Sequence, residues 1–75
     1  MNLYEVKLNT PCIIKQLEIE DEKLKIRLME LGLTFGTKLM VKNKSVCKKT
    51  LLVVFNNSCF SLKEQTAKLI MVNYV

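Results

Sequence analysis

The residues of this chain that could do chemistry are three cysteines, a run of lysines and little else. Cys12, Cys47 and Cys59 are an odd number with no close pair. That does not suit a secreted disulfide framework and fits a reducing compartment. Cys12 and Cys59 sit inside apolar runs, where a free thiol behaves as a small buried hydrophobe. Cys47 lies between Val46 and Lys48-Lys49, and neighbouring ammonium groups favour a thiolate. The chain has no histidine, so general-base chemistry through imidazole and most zinc or iron ligation schemes have no ligand here. No phosphate-binding glycine loop, paired carboxylates or nucleophile with a neighbouring base is present, so neither a catalytic residue, a resident metal nor a cofactor is expected.

The lysines carry the other candidate chemistry. Lys38, Lys42, Lys44, Lys48 and Lys49 occur with no acidic residue between positions 38 and 49. On a hairpin, Lys42, Lys44, Lys48 and Lys49 would form a basic patch suited to phosphates, lipid headgroups or an acidic protein. The alternative is a solvated rim that blocks edge-to-edge aggregation. Aromatic side chains are not interleaved with these lysines as base-stacking platforms require, so nucleic acid is not the expected partner. The net charge of +5 does not choose among the classes.

The elements that must position these groups are short. Leu24, Leu28 and Leu31 recur at helical spacing and predict one helix, with Asp21 as its N-cap and Glu20 and Glu22 at the positive end of its dipole. Gly32 then falls where the chain must turn left-handed, with Leu33 folding back on Leu28 in a Schellman motif. Gly36 suits the third position of a type II turn, with Phe35 before it. The helix therefore ends, reverses and feeds a strand within about six residues. The leucine stripe is expected to face the core. Ile26 and Met29 lie on the opposite side, and either pack under the N-terminal segment or form an exposed interaction strip.

Before the helix, Asn2–Lys7 predicts a short capping turn with Leu3 and Val6 inward, and Asn9-Thr10-Pro11 a break. Strands are expected over Cys12–Leu17, Lys38–Lys42, Thr50–Phe55, Cys59–Leu62 and Leu69–Val75. Asn43–Lys49 reads as a hairpin loop, Asn56-Asn57-Ser58 as a turn, and Lys63–Lys68 as one helical turn. Thr50–Phe55 is a continuous apolar run, which suits a strand covered on both faces or one whose outer face meets a partner. About five short strands and one helix favour a small, closed or partly closed barrel. With 49% hydrophobic and 25% charged residues the composition is that of a globular domain. The 75 residues, from an initiating methionine, are expected to form one complete small domain spanning 1–75. No run approaches the roughly 18 apolar residues of a membrane span, and Met1–Glu5 lacks the layout of a signal peptide. A cytoplasmic protein is expected.

The block Arg27-Leu28-Met29-Glu30-Leu31-Gly32-Leu33-Thr34-Phe35-Gly36-Thr37 resembles the signature of the FeoA family of bacterial ferrous-iron transport. Cys59–Lys63 resembles that family's short strand running into a basic residue, and Ala67–Val72 its closing strand. Phe35 stands where the family prefers proline, Thr10-Pro11 replaces an expected glycine, and Lys63 replaces arginine; the Phe35 turn should be less rigid. The resemblance implies an SH3-like barrel with the helix packed against it. It also implies a non-catalytic accessory protein that acts on the cytoplasmic GTPase portion of the FeoB transporter, meeting the membrane only indirectly. On that reading Ile26, Met29, Leu33 and Phe35 are the expected contact residues, with Gly32 and Gly36 structural. Rival readings are a small basic barrel that binds nucleic acid, and a stand-alone relative of the C-terminal domain of iron-dependent repressors of the DtxR type. Hydrophobic edge strands leave self-association into a homo-oligomer open.

Overall fold

The computed structural model describes residues 1–75. A 3-10 helix at Leu3–Glu5 opens the chain, closed by a reciprocal capping box between Asn2 and Glu5. Strand β1 (Cys12–Leu17) leads to helix α1 (Glu22–Glu30), followed by β2 (Lys38–Ser45), β3 (Thr50–Phe55) and β4 (Ser58–Lys63). A single helical turn, α2 (Glu64–Ala67), delivers the chain to β5 (Ile70–Tyr74).

Local chemistry places each boundary. The Asp21 carboxylate accepts from the backbone N–H groups of Lys23 and Leu24 at 3.0 and 3.4 Å, so α1 begins where the sequence predicts. At its other end the N–H of Leu33 donates to the Leu28 carbonyl at 2.9 Å and that of Gly32 to Met29 at 3.0 Å. With Gly32 at φ +100°, these are the two bonds of a Schellman motif. The Thr37 N–H donates to the Thr34 carbonyl at 3.1 Å, and Gly36 at φ +86° occupies the third position of that turn. Asn56 and Asn57, both at positive φ, form the two-residue link between the paired Phe55 and Ser58, the geometry of a type I′ hairpin.

The strands form one antiparallel sheet in the order β4-β3-β2-β1-β5. β1 and β2 pair only at Cys12↔Leu39 and Ile13↔Lys38, whereas β2–β3, β3–β4 and β1–β5 run nearly full length. Register shifts leave Lys15 in β1 and Lys42 in β2 without a partner residue, and such bulges bend and twist a strand. The sheet thus curls round one core of 15 buried residues drawn from all five strands, α1, α2 and the N-terminal turn. All 15 are apolar and no buried side-chain nitrogen or oxygen lacks a partner. The architecture is mainly β, as expected.

Three expectations need correction, and one alternative is decided. β2 continues through Asn43, Lys44 and Ser45, because the bulge at Lys42 lets these polar residues keep pairing with Leu52, Leu51 and Thr50. Of the two alternatives for β3, cover on both faces is excluded: Leu51 and Val53 are fully buried while Leu52 is exposed. On α1 only Leu28 is buried; Leu24 is half-buried and Leu31 is 50% exposed. Leu31 is the C-cap, where the chain is already leaving the helix. Cys59 is exposed, because strand alternation turns it away from the face that carries Phe60 and Leu62.

Candidate functional site

Two surfaces gather the residues that could recognise something. The first is α1 with the turn that follows it. Ile26 and Met29, three positions apart on the outer side of α1, are 51% and 49% exposed, and Phe35 at the turn is 73% exposed. Of the two alternatives for Ile26 and Met29, the structure shows the exposed one: the N-terminal segment does not cover them. Leu33 does not join them. It is fully buried, because the Schellman motif folds residue C″ back over the last helical turn, and it belongs to the same core cluster as Leu28. The Thr37 hydroxyl locks the reversal by donating to the Gly32 carbonyl at 2.8 Å. The inner side of α1 is different. Leu24, Arg27, Leu28 and Leu31 line a groove whose opposite wall is Phe60, Ser61, Leu62 and Lys63 of β4.

The second surface is basic. The Glu64 N–H donates to the Lys49 carbonyl at 2.8 Å, which ties the β2–β3 turn to the start of α2. Around that tie Lys48, Lys49, Lys63 and Lys68 line one recess with Glu64 and Gln65. Glu64 pairs with Lys68 at 3.3 Å, and the lining as a whole holds four lysines and one carboxylate. No aromatic side chain lines the recess. Lys48 and Lys49 thus occupy the predicted patch. Lys63 and Lys68, far along the chain, are the members that the local lysine run does not reveal.

Lys44 is not part of it. Its Nζ donates to the Val6 carbonyl at 2.9 Å and lies 5.3 Å from the centre of the Tyr4 ring. It fastens the N-terminal turn to β2 and is a structural residue. Lys68 approaches the same ring at 5.5 Å. Lys42, exposed at its bulge, does not line the recess.

Of the thiols, Cys12 is buried, its Sγ 3.5 Å from the Leu39 carbonyl oxygen, and burial pushes its pKa up. Cys47 and Cys59 are exposed. No group of three or more Cys, Asp or Glu side chains converges into a metal-binding cluster. No helix is long and apolar enough to cross a membrane.

Comparison with known proteins places this arrangement. Residues 1–74 match the family model described as the FeoA domain. Iron(II) transport protein A from Clostridium thermocellum superposes on the whole chain at 25% identity and TM-score 0.89; the chain spans 46% of that protein's length. FeoA from Chlorobium tepidum covers the whole chain at 27% identity and TM-score 0.90, over 70% of its own length. A zinc-complexed FeoA from Stenotrophomonas maltophilia, described as a procaryotic SH3 domain protein, covers 97% of this chain and 89% of its own at 28% identity and TM-score 0.83. The fold is therefore SH3-like. A manganese-dependent transcriptional repressor shares it at TM-score 0.90 over 41% of its length, but at 13% identity the likeness is one of fold alone. No curated protein matches the chain by sequence. The helix-end and turn geometry at Gly32 and Gly36, the SH3-like sheet and a match that runs almost end to end agree: the chain belongs to the FeoA family.

Proposed function

We propose that this chain is a non-catalytic, cytoplasmic accessory protein of ferrous-iron uptake, one small domain that works by binding the GTPase portion of a FeoB-type transporter. The observation that carries the reading is the exposure of Ile26, Met29 and Phe35 on one helix and its turn. Apolar side chains grouped at helical spacing and left in water mark protein interaction surfaces. FeoA membership supplies the setting, since the family serves ferrous-iron transport. The Stenotrophomonas relative is described as a candidate activating factor for that transport. A domain without catalytic groups can act on a GTPase only by binding one of its conformational states better than another. The lysine recess would speed the encounter with an acidic partner through long-range attraction.

The test is an NMR titration of the labelled protein with the soluble GTPase domain of its cognate transporter, loaded with GDP or with a GTP analogue. Shifts centred on Ile26, Met29 and Phe35, with unequal affinity in the two states, are expected. The Ile26→Ser, Met29→Ser double variant should lose binding while its melting temperature stays within a few degrees of the parent. Silence in both nucleotide states would remove the GTPase domain as the direct target.

A further inference from the structure

The sheet has two edges and treats them differently. On the β5 side, the Met1 carbonyl accepts from the Val72 N–H at 2.8 Å and Asn2 bridges Met71, so the N-terminal segment covers the edge. The Tyr74 hydroxyl is held as well, accepting from the Lys7 N–H at 3.0 Å. On the β4 side nothing comparable exists. β4 ends the sheet, and Ser58–Leu62 make no hydrogen bond to any element but β3. The strand has no proline and no bulge in its pairing with β3, two devices that blunt an exposed edge. Beside this open edge runs the groove whose other wall is α1. Its apolar lining includes Leu24, Leu28, Leu31, Phe60 and Leu62; its charges are Arg27 and Lys63, and no carboxylate lines it. Lys63 and Gln65 also line the lysine recess, so groove and recess share a wall at the C-terminal end of β4.

We propose that this groove takes an extended segment of a partner protein that adds to β4 as a further antiparallel strand, its apolar side chains between α1 and β4 and its acidic residues at Lys63 and the recess. Ladder hydrogen bonds would supply affinity, and alternate side chains and charge the selectivity. In antiparallel addition the segment's N-terminal half lies beside Lys63, so its acidic residues precede its apolar ones. The proposal does not depend on which protein supplies the segment. It uses the side of α1 opposite Ile26 and Met29, so it can fail while the transporter contact stands, and the reverse.

The probe is a displayed library of random dodecapeptides selected on the intact protein, with the selected peptides then synthesised. Enrichment of acidic-then-alternating-apolar sequences is expected, with binding that shifts and protects the amides of Ser58–Leu62. Methylating alternate backbone nitrogens of the peptide should abolish binding. Lys63→Glu should weaken it about tenfold without lowering the melting temperature. The proposal is overturned if no sequence class is enriched, if the methylated peptide binds as well, or if the shifts fall on Ile26 and Met29. Sedimentation showing a dimer joined through β4 would overturn it too, since a second copy would then hold the edge.

Discussion

The edge of the Phe55 ring lies against Gly32, so close that a Cβ placed on Gly32 would stand 3.0 Å from Cε2. The helix end and the tip of β3 therefore meet across a gap that only glycine leaves open. Phe55 is itself braced by Phe60 in an edge-to-face contact, ring centres 5.2 Å apart at 83°. Gly32→Ala adds this crowding to the strain of φ +100° and should cost about 2–3 kcal/mol. Gly36→Ala meets no atom within 4 Å and carries only the strain of φ +86°, about 1 kcal/mol. Urea midpoints of the two variants should separate accordingly, and Phe55→Leu should cost less in the Gly32→Ala background than in the parent.

Leu33 and Phe35 are two residues apart and opposite in role. Leu33→Ala should cost about 2–5 kcal/mol through the cavity it leaves in the core. Phe35→Ala should change stability by under about 0.5 kcal/mol. Equal losses in chemical denaturation would show that the turn packs differently.

Lys44 stabilises the fold from the surface. Replacing it by Met keeps the stem but removes the bond to Val6 and the contact with Tyr4, for an expected loss of about 1–2 kcal/mol. Hydrogen exchange should quicken at Leu3–Val6. Lys42→Met, at the exposed bulge, should leave both readouts unchanged.

The three thiols should divide two to one. In the native protein Cys47 and Cys59 should react promptly with a thiol reagent, while Cys12 waits for unfolding. Burial also gives Cys12 a pH signature. Its folded pKa lies above the ordinary 9.0, so above that pH the unfolded chain sheds a proton that the native state keeps. Cys12 therefore leaves stability intact below about pH 9 and lowers it as pH rises through the folded value. Comparing Cys12→Ala with the parent from pH 8 to pH 11 should show the variant's stability falling less steeply.

Much of this architecture is legible locally. Asp21, Gly32, Gly36 and Asn56-Asn57 each demand a particular backbone geometry, and each has it, because capping and positive φ are decided by one residue and its nearest neighbours. The 100° step of the helix puts Ile26 and Met29 on the side away from the leucine stripe, but only the tertiary structure decided that the N-terminal segment leaves them exposed. Leu33 was open to error for a specific reason: its place in the motif is local, but its burial depends on what the reversal is pressed against. The expectation for Leu31 failed likewise, since periodicity does not show where a two-and-a-half-turn helix leaves its support.

Residue type and spacing by themselves determined the strand and helix order, the turn chemistry, the apolar periodicity that builds the core and the absence of histidine chemistry. Tertiary structure alone decided which charges meet. The Glu64–Lys49 backbone bond brings Lys48 and Lys49 to Lys63 and Lys68, while the Lys44–Val6 bond withdraws one lysine from its neighbours in sequence. It also decided that the N-terminal residues shield β5 and leave β4 open. The physical reason is range: a turn is settled by the few residues within it, whereas a surface is assembled from segments whose meeting depends on the burial of the entire core.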